Sequence, residues 1–149
     1  MRSAAVQQVV RKMLAAPFAG RVVKVDRAIV GQRLCGRSLG ASEPSVVAHL
    51  AKRVLLDEQW HAVTTPDEFV EDLRQAIRHR EARFVRYRAN AGRVCIGCFA
   101  PNTVPLTRLG TKPEASLWVL YDADRDKIIS GYQVSELARV SIPEDARWL

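Results

Sequence analysis

Cysteine and histidine are scarce in this chain, at three residues each among 149. An odd number of thiols builds no disulfide scaffold, and a chain of this length buries roughly 68–70% of its unfolded surface without staples. The thiols therefore point to a reducing compartment: the cytoplasm, or the cytoplasm of a target cell. Cys95-Ile-Gly-Cys98 is a C-x-x-C, but it falls in a strand-like run where residues three apart face opposite ways. No second C-x-x-C and no H-x-x-x-H completes a tetrahedral zinc site, so the pair reads as buried thiols. No P-loop, dinucleotide fingerprint, G-x-S-x-G or H-E-x-x-H occurs. Asp122, Asp124 and Asp126 open like a calcium loop, yet Lys127 and Gln133 stand where its Gly and Glu belong. No metal and no cofactor is expected. No apolar run reaches the ~18 residues of a membrane span. Gln7, Gln8, Arg11 and Lys12 interrupt the N-terminal apolar stretch, so no signal peptide is read there.

What is present is positive charge, unevenly placed. Lys and Arg total 23 against 16 Asp and Glu, a net +7. Residues 1–40 hold eight bases and one acid; residues 41–73 hold two bases and seven acids. Residues 74–93 then hold seven arginines and one Glu. Arg outnumbers Lys 18 to 5. A genome's coding bias accounts for that preference, but not for the clustering. Two basic blocks around an acidic one imply a basic face and a polyanionic partner. Apolar residues at 48% and charged residues at 26% exclude a disordered chain.

Periodicity orders the elements. Val6, Val9, Val10, Met13 and Leu14 repeat at helical spacing up to Pro17. The glycines and serines of residues 31–42 read as a hinge. Residues 1–40 are thus expected to form a basic N-terminal arm, and residues 41–149 a single α+β domain. Arg21–Val25 reads as a short strand. Ser42 is placed as the N-cap of a helix reaching about Glu58, with Pro44 in its first turn. Thr65-Pro66-Asp67-Glu68 is a capping box with proline at the first helical position. Beyond residue 81 the period becomes that of strands. Arg83–Arg88 and Arg93–Phe99 flank a turn at Asn90-Ala-Gly92, and Ser116–Tyr121 and Lys127–Tyr132 flank an aspartate-rich turn. The expected fold is α+β, with N-terminal helices on a four-stranded antiparallel meander. Trp148 is expected as an anchor under the body.

The arginine-rich strand is the sharpest functional feature. Arg83, Val85 and Tyr87 share one face, and Phe84, Arg86 and Arg88 the other. Guanidinium forks bind phosphates, and aromatic faces stack bases. The competing expectation pairs these arginines with Asp67, Glu71 and Asp72. His61 lies between two helices and is the best acid–base candidate; its structural alternative is a pair with Asp57. His49 reads as structural, and His79 as a helix-end cation. Ser130 and Tyr132 flank Gly131, a residue that would let a ligand approach. The loop 100–116 offers Asn102, Thr103, Arg108 and Lys112 as donors to a ligand, or is a connection held by Val104 and Leu106 packing inward.

A helical pair, a basic strand, an apolar strand and a last strand reading Ile-Ile-Ser-Gly-Tyr, over residues 58–134, resemble the barnase–EndoU–colicin–RelE superfamily of small ribonuclease toxins. The resemblance implies a bacterial, metal-independent endoribonuclease in which a 2′-hydroxyl attacks the adjacent phosphate. His61 would be its acid or base, Arg86 and Arg88 would stabilise the phosphorane, and Ser130 and Tyr132 would position the phosphate. Arg83, Tyr87, Asn102, Thr103, Arg108 and Lys112 would hold RNA, and an acidic antitoxin or immunity protein would be a partner. The alternative is a non-catalytic module whose basic face holds nucleic acid or an acidic protein.

Overall fold

The computed structural model describes residues 2–149. Its first helix, α1 (Ala4–Ala15), starts where the Ser3 side chain accepts a hydrogen bond from the Val6 amide at 3.2 Å. It ends before Pro17, and its stripe of Val6, Val9 and Met13 is buried. Leu34 and Leu39 join the same core, so the first 40 residues share one apolar interior with the rest. Helix α3 (Pro66–Arg78) closes its capping box in both directions: the Glu68 amide donates to Thr65 Oγ1 at 3.2 Å, and the Thr65 amide to Glu68 Oε1 at 2.9 Å.

Helix α2 begins later and ends earlier than the sequence suggests. It spans Ser45–Leu55, with Pro44 at the cap position. Residues Ser42–Pro44 are a strand, β4, paired antiparallel with β1 (Val22–Lys24). Proline tolerates an edge-strand end as readily as a first helical turn, and pairing with β1 decides between them. The segment read as a hinge holds β2 (Arg33–Leu34) and β3 (Arg37–Ser38), a second small ribbon.

The main sheet comprises β5 (Arg83–Arg88), β6 (Val94–Pro101), β7 (Ser116–Asp122), β8 (Lys127–Val134) and β9 (Arg147–Trp148). Its order is β8-β7-β6-β5-β9, with every pairing antiparallel. The α+β class holds, but a five-stranded sheet and two ribbons replace the four-stranded meander. The fifth strand is two residues long and carries no period of its own. It exists because Trp148 lies opposite Val85 and Arg147 opposite Arg86. The helices cover one sheet face, with Phe84, Ile96, Cys98 and Tyr121 beneath them. The other face holds Val85, Tyr87, Cys95 and Trp118 under the returning chain at Leu137, Val140 and Ile142. Cys95 and Cys98 thus lie on opposite faces, both buried. Among the described residues, no helix is long and apolar enough to cross a membrane.

Candidate nucleic-acid interface

Strand β5 carries its apolar residues into the two cores and its arginines to solvent. Phe84, Val85 and Tyr87 are buried, while Arg83, Arg86 and Arg88 are exposed. The arginines do not pair with the acids of α3. Glu71 takes Arg78 at 2.8 Å, and Asp72 takes Arg108. Instead β9 adds to the charge. Arg147 is the direct cross-strand partner of Arg86. Side chains so opposed stand about 4.5–5.5 Å apart at Cβ, and like charges there are destabilising. Arg83 lies over the indole of Trp148 at 4.3 Å. Trp148 is no buried anchor: 39% of it is exposed, and the short strand that carries it lies at the sheet edge.

Three shallow clefts adjoin this edge, of about 220, 360 and 420 Å³. Lys12 from α1 and Arg80 from the turn before β5 line two of them. Asp145 is the acid of the middle cleft, beside Arg86, Arg88 and Arg147. Arg2 donates to the carbonyl of His79, and Arg88 to that of Gly92 at 3.1 Å. Lys12, Arg80, Arg86 and Arg147 make no ion pair among the described residues. Burial pushes the Tyr87 phenol up to about 12, so it is a neutral group at physiological pH and no proton acceptor.

The other expected site residues lie elsewhere. Ser130 pairs with Leu120 and Tyr132 with Trp118, on the outer strand β8. Strands β7 and β6 separate β8 from β5, so Ser130 and Arg86 stand about 14 Å apart at strand spacings of ~4.8 Å. They also face opposite sides: Arg86 is in register with Ile96 of the helix-covered face, and Ser130 with Leu120 of the other. Tyr132 lies under the Arg53 guanidinium at 5.0 Å. At Gly131 a Cβ would meet the Leu73 methyls at 2.5 Å, so this glycine admits α3 rather than a ligand. His61 is exposed, and its Nδ1 accepts from the Val63 amide at 3.1 Å. Asp57 pairs with Arg53 instead of His61. His61 lines none of the three clefts. The structure therefore does not gather His61, Arg86, Arg88, Ser130 and Tyr132 around one phosphate.

The loop after β6 spends its donors on the fold. Arg108 grips buried Asp72 through Nε at 3.0 Å and through Nη2, while the Trp60 indole donates to the same carboxylate at 3.1 Å. Lys112 pairs with Glu58 at 2.8 Å. Asn102 donates to the Glu114 carbonyl and accepts from the Val104 amide, both at 2.9 Å. Thr103 is exposed. Val104 packs inward as expected, but Leu106 is 87% exposed. The cations that sequence reasoning missed, Lys12, Arg80 and Arg147, are far apart in the chain. Only the Arg-Trp pair at 147–148, repeating the arginine–aromatic alternation of β5, signals the addition. Comparison with family models, with curated proteins and with solved structures finds no match to this chain.

Proposed function

We propose that the chain is a binding module for single-stranded nucleic acid, held along the β5–β9 edge. The carrying observation is the direct opposition of Arg86 and Arg147 with no carboxylate bonded to either among the described residues. A phosphate between two opposed guanidiniums turns a repulsion into two charge-assisted contacts. The arginines continue on both sides of that pair, at Arg83, Arg88 and Arg80. Exposed Trp148 supplies a ring of the kind on which bases stack. A basic track beside an aromatic surface suits single strands, whose bases are free to stack. An acidic protein partner lacks the flat bases that would use Trp148. Cleavage would need an acid–base group at the phosphate, and the groups expected for it are dispersed, which favours binding.

Fluorescence anisotropy with a labelled, unstructured RNA tests it, with the RNA inspected by gel after incubation in chelator. Binding should weaken steeply with salt, the RNA should stay intact, and Arg83→Gln/Arg86→Gln/Arg88→Gln should abolish binding. Full binding by that triple variant would refute the assignment, and fragments that vanish in His61→Ala would restore cleavage.

A further inference from the structure

We propose a second anion site, a pocket for a single phosphoryl group, where the turns at one end of the sheet meet the start of α2. A cleft of about 180 Å³ opens there. Four cations line it, Arg21, Arg93, Arg125 and Lys127, together with Ser45 and His49. Among the described residues, the one carboxylate in its wall is Asp122. That carboxylate is already satisfied: it accepts from the Asp124 and Arg125 amides at 3.0 Å each, and Arg93 stands 3.4 Å away. Arg21, Arg125 and Lys127 have no ion-pair partner among the described residues. Three uncompensated cations converging on a concave wall call for an anion.

The walls are pinned before any ligand arrives. The Ala19 amide donates to the Ile128 carbonyl at 2.8 Å, and the Ile128 amide to Pro17 at 3.0 Å, fixing the Arg21 segment to β8. The Ser45 amide donates to the Arg21 carbonyl at 2.9 Å, fixing α2 to the same segment. A preformed pocket spares the ligand the cost of ordering its walls.

His49 is set to respond. Its Nδ1 lies 2.8 Å from the Ser45 carbonyl, an acceptor, so Nδ1 carries the proton and Nε2 is left with its lone pair. Burial holds the ring below the usual histidine range, and Arg53, Lys52 and Arg21 reinforce this. Lys24 and Asp26 face it from the β1 side, and Arg93, Asp122, Arg125 and Lys127 from the sheet. A bound dianion reverses the balance and draws a proton onto Nε2. The cleft is smaller than the ~300–1,000 Å³ that enclose a drug-sized ligand. It suits free phosphate, or the phosphate end of a mononucleotide whose remainder stays outside.

The test follows the three histidine rings by NMR while pH is varied in chloride, inorganic phosphate, adenosine 5′-monophosphate or adenosine, at constant ionic strength. Phosphate should raise the His49 midpoint and leave His61 and His79 unmoved. A rise with the monophosphate as well identifies a phosphate monoester as ligand, a rise with phosphate alone identifies the free anion, and adenosine should do nothing. Arg21→Gln/Lys127→Gln should weaken the response about tenfold or more, as expected for lost charge-assisted bonds. The Arg83/Arg86/Arg88 triple variant should leave it unchanged, which separates this pocket from the β5–β9 edge. No movement of His49 at roughly 10 mM phosphate, well above a millimolar dissociation constant, would overturn the proposal. So would a response that Arg21→Gln/Lys127→Gln does not alter.

Discussion

Single side chains carry two kinds of tension in this molecule. Arg86 and Arg147 oppose each other across β5 and β9, and neither makes an ion pair among the described residues. Removing one relieves a cross-strand repulsion worth a few tenths of a kcal/mol, up to about 1. Arg86→Gln should therefore raise the urea midpoint slightly at low salt, an increment that fades as salt screens the pair, while nucleic-acid binding falls. A drop in both stability and binding would make Arg86 a structural residue. Glu43 is the opposite case, a buried carboxylate held by its surroundings. The Gly40 amide donates to it at 2.8 Å and Arg37 pairs with it at 2.8 Å, and these hold its carboxyl below the ordinary 4.5. A depressed carboxyl stabilises the fold above its unfolded value and loses that contribution as pH falls through its folded value. Wild type should thus lose stability relative to Glu43→Gln as pH is lowered beneath about 4.5. Parallel urea midpoints across that range measure it, and parallel curves would show that the carboxylate contributes nothing. The first feature is not written in local sequence. Residues 86 and 147 become neighbours only through sheet pairing.

At the scale of elements, what the sequence made legible was whatever is decided locally. The Thr65–Glu68 box, the 3.6-residue stripe of α1 and the short turns leading into β6 and β8 are each encoded within a few residues. Strands β9 and β4 are not, because two or three residues show no period and acquire structure only from a partner. Gly97 shows a related limit. It sits in mid-strand in β6, and Trp118 of β7 lies across it. A Cβ there would stand 2.0 Å from the indole, a rigid ring packed in the second core. Gly97→Ala should cost about 1–3 kcal/mol by overpacking. Denaturant titration checks this, with the m-value showing whether the native state stays compact. A change within a few tenths would mean that the ring moves aside freely.

The whole molecule is a sheet insulated on one face by helices and on the other by its own C-terminal return, leaving the β5–β9 edge as a charged surface. The basic blocks of the sequence foretold that surface in outline. The members differ from those expected: Arg108 and Lys112, outside those blocks, pair with Asp72 and Glu58, while Lys12, Arg80 and Arg147 line the edge. The candidate histidine failed to join for a similar reason: its loop is tied to Arg108 by the His61 amide, at 2.8 Å from that residue's carbonyl. Under the proposed function, opposed arginines on two adjacent strands grip the phosphates of a single strand. The most direct measurement of that grip is the slope of log K against log salt for an unstructured RNA, in wild type and in Arg86→Gln/Arg147→Gln. Each phosphate contact contributes about 0.7 to that slope for single strands. The double variant should bind more weakly with a slope shallower by about 0.7, the increment of the one phosphate held between them. An unchanged slope, with or without weaker binding, would show that these arginines do not touch phosphate and would contradict the account.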